Sequence, residues 1–307
     1  MCLISAESGS NSMLTALYRR LFPYTLRKKI YDFFLGDIVF FGRHFNVIAK
    51  SKLIYLFNFL LPKNEVNKAF AFIGKHGITS YPNEYALEYR KREIIVELDS
   101  EKQLPFVHHY GMRLYFPEHF SLEKVKRDYL ALLTEQDIRS AHRYVRSYDE
   151  LQNRILLDVG SAEGIFALDT INLTKRVIIF ECMEYWQKPL QATFAEWSDK
   201  VTFVKKFVGN KTSGDFVTID DFLSGSERDN LFIKMDIEGA ERIALEGAQQ
   251  TLATGKNIQL AVCTYHRNED PEYMERLMKR LGYITEFSDG LMYWNKRVSK
   301  GVIRCKN

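Results

Sequence analysis

"LLDVGSAEG", Leu156–Gly164, is an apolar run that ends in an acid and then turns through two glycines four positions apart. A turn of this kind after a strand is the mouth of a βα unit, where a ligand can meet the start of the next helix. A dinucleotide site would spell G-x-G-x-x-G and seat a pyrophosphate on that helix. Here Ser161, Ala162 and Glu163 separate Gly160 from Gly164, and Asp158 and Glu163 put negative charge where the pyrophosphate would lie. The turn suits a ligand that is cationic at one end.

Downstream of this turn the chain alternates helix and strand. "RVIIFE" (176–181), "KVTFVKKFVG" (200–209), "NLFIKMDIEG" (230–239) and "IQLAVCTYH" (258–266) are short apolar runs closed by polar residues, and predict strands. Helices are predicted from Gly164 to about Leu173, around Pro189–Trp197, over "AERIALEGAQQTLATG" (240–255), and from Asp270 and Pro271 through "EYMERLMKRLGY". The stretch "YITEFSDGLMYWNK" (283–296) reads as two strands joined at Ser-Asp-Gly. The expected fold class is α/β, a Rossmann-like doubly wound sheet covered on both faces. Its C-terminal antiparallel hairpin points to the class I methyltransferase form rather than a plain dinucleotide fold.

Upstream, "SLEKVKRDYLALLTEQDIRSAHRYV" (121–145) predicts a helix capped by Ser121, and "EIIVELD", "PFVHHYG" and "MRLYF" predict a small β element. From Met13 to about Lys75 the apolar residues recur at helical spacing, interrupted by Pro23, Gly36, Gly42 and Pro62, which predicts several short helices. The expected organisation is a basic helical region over 1–80, a β element over 81–120 and the main domain over 121–307.

The chain has 307 residues, 46% hydrophobic and 27% charged, ordinary values for a soluble globular protein. Its net charge of +4 is unevenly distributed: residues 1–80 carry +7 and the remainder −3. Basic residues interleaved with aromatics, as in "LYRRLFPYTLRKKIYDFFLGDIVFF", fit an anionic lipid surface or a solvated helical cap. No nucleic-acid motif accompanies them, so no nucleic-acid partner is expected. The four cysteines are scattered, with no zinc-like spacing, and fit reduced thiols in the cytoplasm. No run reaches the ~18 apolar residues of a membrane span, and Met1–Ser12 lacks the pattern of a signal peptide.

In an open α/β sheet the ligand lies beyond the carboxyl ends of the strands. Asp158, Glu181, Asp236, Glu238, Tyr265 and His266 all fall there. Glu181 follows the first glycine by 21 positions, where a carboxylate can accept both ribose hydroxyls. S-adenosylmethionine needs that acid and no phosphate site. The expected cofactor residues are Asp158, Gly160, Ser161, Ala162, Glu163, Gly164, Glu181, Cys182 and Asp236. The two glycines would admit the methionine portion, and Asp158 and Glu163 would face its ammonium and sulfonium.

"ILLDVGSAEGIFAL", "IIFE", "TIDDFL", "IKMDIEGAERIALEGA" and "CTYHR" follow one another in the order and rough spacing of the FkbM family of S-adenosylmethionine-dependent methyltransferases, a resemblance covering about residues 120–295. It implies O-methylation, with relatives acting on polyketide, sugar or surface-polysaccharide hydroxyls. The "AEG" turn and the upstream "EQDIRSAHRY" are similar to forms associated with bacterial surface glycans. The expected acceptor is therefore a sugar or glycan hydroxyl, with a small natural product as the alternative. An enzyme in the cytoplasm, held at the inner membrane by residues 13–80, would meet lipid-linked precursors.

Methyl transfer requires the acceptor oxygen to be held in line with the methyl and to lose its proton. Asp236, Glu238 and His266 are the catalytic candidates, with His266 as the base in a metal-free mechanism because an imidazole near its usual ~6.5 suits neutral pH. The same three residues could hold a divalent ion, and that version is the less favoured. Of His108 and His109, at most one can line the acceptor side, since neighbours in a strand face opposite ways. Asp220 and Asp221 resemble the metal-binding acids of glycosyltransferases, a rival reading, but stand where helix caps stand. A non-catalytic binding module is the remaining rival.

Overall fold

The computed structural model describes residues 36–223 and 228–307. Expectations for Met13 to Leu35 therefore lie outside the described residues. The described part of the basic region forms two helices, α1 (Gly36–Leu56) and α2 (Glu65–His76). Gly42 does not interrupt α1. The two helices meet closely because Gly74 has no side chain; a Cβ there would lie 2.2 Å from the Ser51 carbonyl oxygen. Asn64 caps α2 by accepting the Asn67 N–H.

After the single-turn α3 (Tyr85–Tyr89) come β1 (Glu97–Asp99), β2 (Leu104–His109) and β3 (Met112–Tyr115), an antiparallel three-stranded sheet. Val107, Leu114 and Phe116 join the main core rather than a separate one. The helix capped by Ser121, α4 (Leu122–Glu135), is shorter than its pattern suggested; residues 136–147 leave helical conformation, and this turns out to matter for the site.

The main sheet begins with β4 (Ile155–Val159), followed by α5 (Ile165–Thr170), β5 (Arg176–Phe180), α6 (Glu184–Thr193) and β6 (Val201–Val204). Next are the short β7 (Phe207–Val208) and β8 (Phe216–Val217), α7 (Ile219–Phe222), β9 (Leu231–Met235), α8 (Glu241–Glu246), α9 (Gln249–Thr254), β10 (Gln259–Cys263) and α10 (Asp270–Arg280). The chain closes with β11 (Ile284–Phe287), β12 (Met292–Trp294), β13 (Arg297–Ser299) and β14 (Val302–Lys306). Seven strands lie in the order β11-β14-β10-β9-β4-β5-β6, all parallel except β14, which runs antiparallel to both neighbours. That order, with a reversed strand slotted in next to the last parallel edge, is the class I methyltransferase sheet. Along β4, Leu156 packs on one face and Leu157 on the other, as the pleat requires.

Three expectations are corrected. The helix over 240–255 is two helices, because Gly247 rests on the Gly209 carbonyl at a distance where no Cβ fits. The third strand divides into β6 and β7. The antiparallel return is present, but β11 pairs with 302–306, not with 292–294. The β12–β13 ribbon is an insertion, and its Tyr293 packs with Val47, Phe70 and Ile73 to dock the α1–α2 hairpin.

Candidate active site

The β4–α5 turn is strained where glycine is required. Gly160 and Gly164 have φ of +77° and +80°. Protein contact alone demands glycine at both positions: a Cβ on Gly160 would lie 2.0 Å from the Asp236 carbonyl, and one on Gly164 would strike Phe194 and Leu190. The turn is thus wedged between the end of β9 and α6.

Asp158 is buried and is not an open acid. Lys234, from the middle of β9, places Nζ 3.0 Å from its Oδ1 and donates to the Gly160 carbonyl at 2.5 Å; the Ser161 hydroxyl donates to Oδ2 at 2.9 Å. Burial opposes the Lys234 charge, but Asp158 and Asp236 hold its pKa above the ordinary lysine value. The expectation that Asp158 faces a cofactor cation is corrected: its charge is matched inside the protein. Lys234 went unnoticed in the sequence although a lysine within an apolar strand is a legible signal of a buried partner.

Glu181 stands where the spacing put it, beyond β5. Its Oε2 accepts the Ala162 N–H at 2.9 Å and its Oε1 the Met183 N–H at 2.7 Å, so it ties the turn to the strand end while keeping lone pairs for hydroxyls. Burial raises its pKa and these two N–H groups partly offset the rise. Burial and then the Glu181 charge push the neighbouring Cys182 thiol up to about 11, which leaves it a neutral wall. Ala162 has φ of +48° and presents its N–H to Glu181. Glu163 is buried and its carboxyl is pushed up to about 8, chiefly by burial, with Glu135 and Asp158 adding to the rise and Lys234 opposing it.

The ends of β9 and β10 bring Asp236 and His266 together, with Glu238 beside them. His266 Nε2 lies 3.6 Å from Asp236 Oδ1 and 3.7 Å from Glu238 Oε2, and its Nδ1 lies 3.0 Å from Glu241 Oε1. Glu241, fully buried, also accepts the N–H groups of Ile237 and Gly239, so it and not Asp236 or Glu238 caps the turn before α8. On its other side Asp236 Oδ2 accepts from Tyr144 at 3.1 Å and lies 3.4 Å from His142 Nε2. Burial works to raise the Asp236 pKa, but His142, Lys234 and His266 hold it well below the usual carboxylate range. Burial likewise works against a charged His266, yet Glu241, Asp236 and Glu238 leave its pKa raised. Asp236 and Glu238, expected beside this imidazole, are joined by Glu241, so three carboxylates surround it and raise its pKa above the ordinary value on which the choice of base was argued.

His142, Tyr144, Glu135 and Glu241 were missed. His142 is buried, 3.2 Å from Glu135 and within hydrogen-bonding reach of Tyr265, and it comes from the segment after α4 that the sequence pattern assigned to a helix. No local signal reveals which strand end such a segment meets. His108 and His109 are not at this corner: His108 is exposed beside Glu97, and His109 is buried between Tyr129 and Asp169, 2.6 Å from the latter. Asp220 accepts the N–H groups of Gln250 and Thr251 at the start of α9, and Asp221 is bonded to Thr212 and Thr218. Asp220 is a cap of α9, and Asp221 lies in the first turn of α7, where Thr218 caps the helix by accepting the Asp221 N–H and the Asp221 carboxylate accepts from Thr212; this removes the support for a glycosyltransferase metal motif.

Residues 187–285 match the family model described as "Methyltransferase FkbM domain". Over these residues the chain is similar to FkbM methyltransferases. The matched span holds β9, β10 and the Asp236–His266 corner, whereas the β4 turn precedes it. Among solved structures, an FkbM methyltransferase from Methylobacillus flagellatus KT is 18% identical at a TM-score of 0.42, over 88% of this chain and 60% of that one. A transferase from Pyrococcus horikoshii is 15% identical at 0.41, over 67% and 72%. A precorrin-6y C5,15-methyltransferase from Geobacter metallireducens GS-15 is 12% identical at 0.35, over 52% and 84%. No curated protein matches the sequence significantly. The chain thus spans 60% of the length of the FkbM structure. The class I form of the domain rests on its own strand order.

Proposed function

We propose that the protein binds S-adenosylmethionine and methylates a hydroxyl oxygen of a sugar or glycan. The observation that carries this is charge. Beyond the matched Lys234–Asp158 pair and the protonated Glu163, the ends of β4, β5, β9 and β10 are surrounded by the carboxylates of Glu135, Glu181, Asp236, Glu238 and Glu241, against only His142 and His266. Excess negative charge in a low-dielectric site favours a cationic ligand and opposes a pyrophosphate. The residues fit the cofactor: Glu181 keeps acceptor capacity for a ribose, and among the described residues no cation bonds directly to the buried Glu163, which feels Lys234 only through its charge. When bound, the cofactor supplies an electrophilic methyl on sulfur. This chain's part is to hold the acceptor oxygen in line with that methyl at the Asp236–Glu238–His266 corner and to receive the hydroxyl proton there.

The glycan reading is supported by where the enzyme would work. Leu53, Leu56, Phe57, Phe59 and Leu60 at the tip of the α1–α2 hairpin are exposed, and exposed Lys52, Lys63 and Lys68 flank them. Apolar side chains ringed by lysines match an anionic bilayer. Among the described residues no helix is long and apolar enough to cross a membrane. The hairpin would lie on the cytoplasmic face of the membrane and bring the site to a lipid-linked acceptor.

Calorimetry with S-adenosylhomocysteine tests the cofactor reading. Wild-type protein should bind it, a UDP-sugar should not bind, and Glu181→Ala should weaken binding by about 1.5–3 kcal/mol, the range for a hydrogen bond to a charged group. Equal affinity in wild type and Glu181→Ala would remove Glu181 from the site.

A further inference from the structure

The corner at β9 and β10 contains an imidazole nitrogen that no protein group satisfies. His266 has a side chain only 4% exposed, and its Nε2 has no hydrogen-bond partner. That nitrogen points between Asp236 Oδ1 and Glu238 Oε2, at 3.6 and 3.7 Å, beyond hydrogen-bonding distance from both. A buried polar atom left without a partner is costly unless something absent from the chain completes it. The opposite nitrogen, Nδ1, also makes no well-formed hydrogen bond, but it lies 3.0 Å from Glu241, whose Oε1 is itself fixed by the Ile237 and Gly239 N–H groups. An imidazole oriented by a carboxylate at one nitrogen, with the other aimed at two further carboxylates, is the arrangement that metal sites use to set tautomer and direction.

From this geometry we propose that the protein holds one divalent cation between His266 Nε2, Asp236 and Glu238, with Glu241 as the positioning residue behind the imidazole. Metal–ligand bonds of ~2.1 Å put neighbouring ligand atoms about 3.0–3.4 Å apart, so His266 Nε2 need approach Asp236 Oδ1 and Glu238 Oε2 by only a few tenths of an ångström, with Glu238 turning toward Asp236 to complete the set. Glu238 enters from the solvent side and can swing, since its side chain is largely exposed. Two carboxylates and one imidazole suit Mg²⁺ or Mn²⁺, and the ion's outer positions would be open to water and to the oxygens of a polyol.

Ligand atoms of Asp236, Glu241 and His266 all lie within 4.8 Å of one another, as do those of the neighbouring set of His142, Asp236 and Cys263. The latter set is already closed: His142 Nε2 reaches the Tyr265 hydroxyl at 3.1 Å and Cys263 Sγ at 3.4 Å, and the thiol is held neutral by burial. The His142 nitrogen that lacks a hydrogen bond is Nδ1, which faces Glu135 on the other side of the ring, whereas His266 Nε2 faces a gap between two carboxylates.

Binding of the ion is independent of the methyl-transfer reading; only its use, to acidify and orient an acceptor hydroxyl, rests on that reading. The test is a Mn²⁺ titration of chelator-treated full-length protein, followed by electron paramagnetic resonance, with S-adenosylhomocysteine affinity measured in parallel. Wild type should bind one Mn²⁺. His266→Ala should lose binding by at least about tenfold, and Glu241→Gln by about 10- to 100-fold, the range for groups that orient a ligand. Because the buried variants can fail to fold, exposed Glu238→Gln provides a further arm and should weaken Mn²⁺ several-fold with unchanged thermal unfolding. Mn²⁺ binding equal in wild type, His266→Ala and Glu238→Gln, or no binding by wild type at 1 mM, would overturn the proposal. Failure of S-adenosylhomocysteine to bind, with Mn²⁺ still bound, would strike the cofactor reading alone.

Discussion

The strand-end corner and the α1–α2 hairpin invert each other's chemistry. At the corner, charged side chains are buried: Lys234 with Asp158, His142 with Asp236, and His266 with Glu241. On the hairpin it is the large apolar side chains, Phe59 and Leu60 above all, that face outward while lysines surround them. Each inversion has a cost that an isolated domain need not bear, because desolvated charge and exposed apolar surface both oppose folding or solubility. The β12–β13 ribbon joins the two. Tyr293 docks the hairpin, while the adjacent Trp294 places its ring 6.0 Å from His266. A surface contact at one end is therefore only a few residues from the chemistry at the other.

The comparison breaks most readily at Lys234. Lys234→Met leaves Asp158 buried without its counter-ion and should cost about 3–5 kcal/mol in denaturant unfolding. Adding Asp158→Asn should restore most of the loss, because the unpaired charge is then gone. A loss below ~1 kcal/mol for the single variant would show that the pair carries no such penalty.

Glu163 sharpens the comparison through pH. Its folded-state pKa of about 8 lies above the ordinary glutamate value, so the folded protein keeps a proton that the unfolded chain has released. The groups facing it are Glu135 from α4, Asp158 from β4 and Lys234 from β9. This contribution to stability is present in full below pH ~4.5 and is lost as pH rises through about 8. Glu163→Gln should therefore gain on wild type in unfolding free energy across that window, measured without ligand. A difference that is flat with pH would place Glu163 in solvent.

At the hairpin the expected effects are smaller. Phe59→Ser and Leu60→Ser should each weaken binding to anionic vesicles by on the order of 1 kcal/mol, and rising salt should weaken wild-type binding further. Neither variant should shift unfolding by more than about 0.5 kcal/mol, since the side chains touch no core. Vesicle flotation checks this. Absence of wild-type binding at low salt, or dimerisation abolished by the same variants, would replace the bilayer with another partner.

Much of the main sheet is legible because β4, β5, β9 and β10 are near-continuous apolar runs, the mark of strands buried on both faces. The same holds for Glu181, whose position follows from counting along one βα unit. Residues whose meaning depends on chain crossings are not legible. His142 meets Asp236 across 94 positions, and β14 meets β11 past a ribbon that resembles the missing strand. Gly160 was read as room for a ligand, yet its closeness to the Asp236 carbonyl exists only once β4 and β9 are side by side.

The central claim, a cationic nucleoside cofactor at an acidic switch point, meets its most direct test in calorimetry of S-adenosylmethionine binding at pH 7 in buffers of different ionisation enthalpy. If the ammonium or sulfonium lies against Glu163, the carboxyl must give up its proton, and binding should release close to one proton per site, about 0.9 for a group titrating near 8. Glu163→Gln should abolish the buffer dependence and weaken binding. Absence of binding, or binding with the same enthalpy in every buffer and unchanged in Glu163→Gln, would contradict the account.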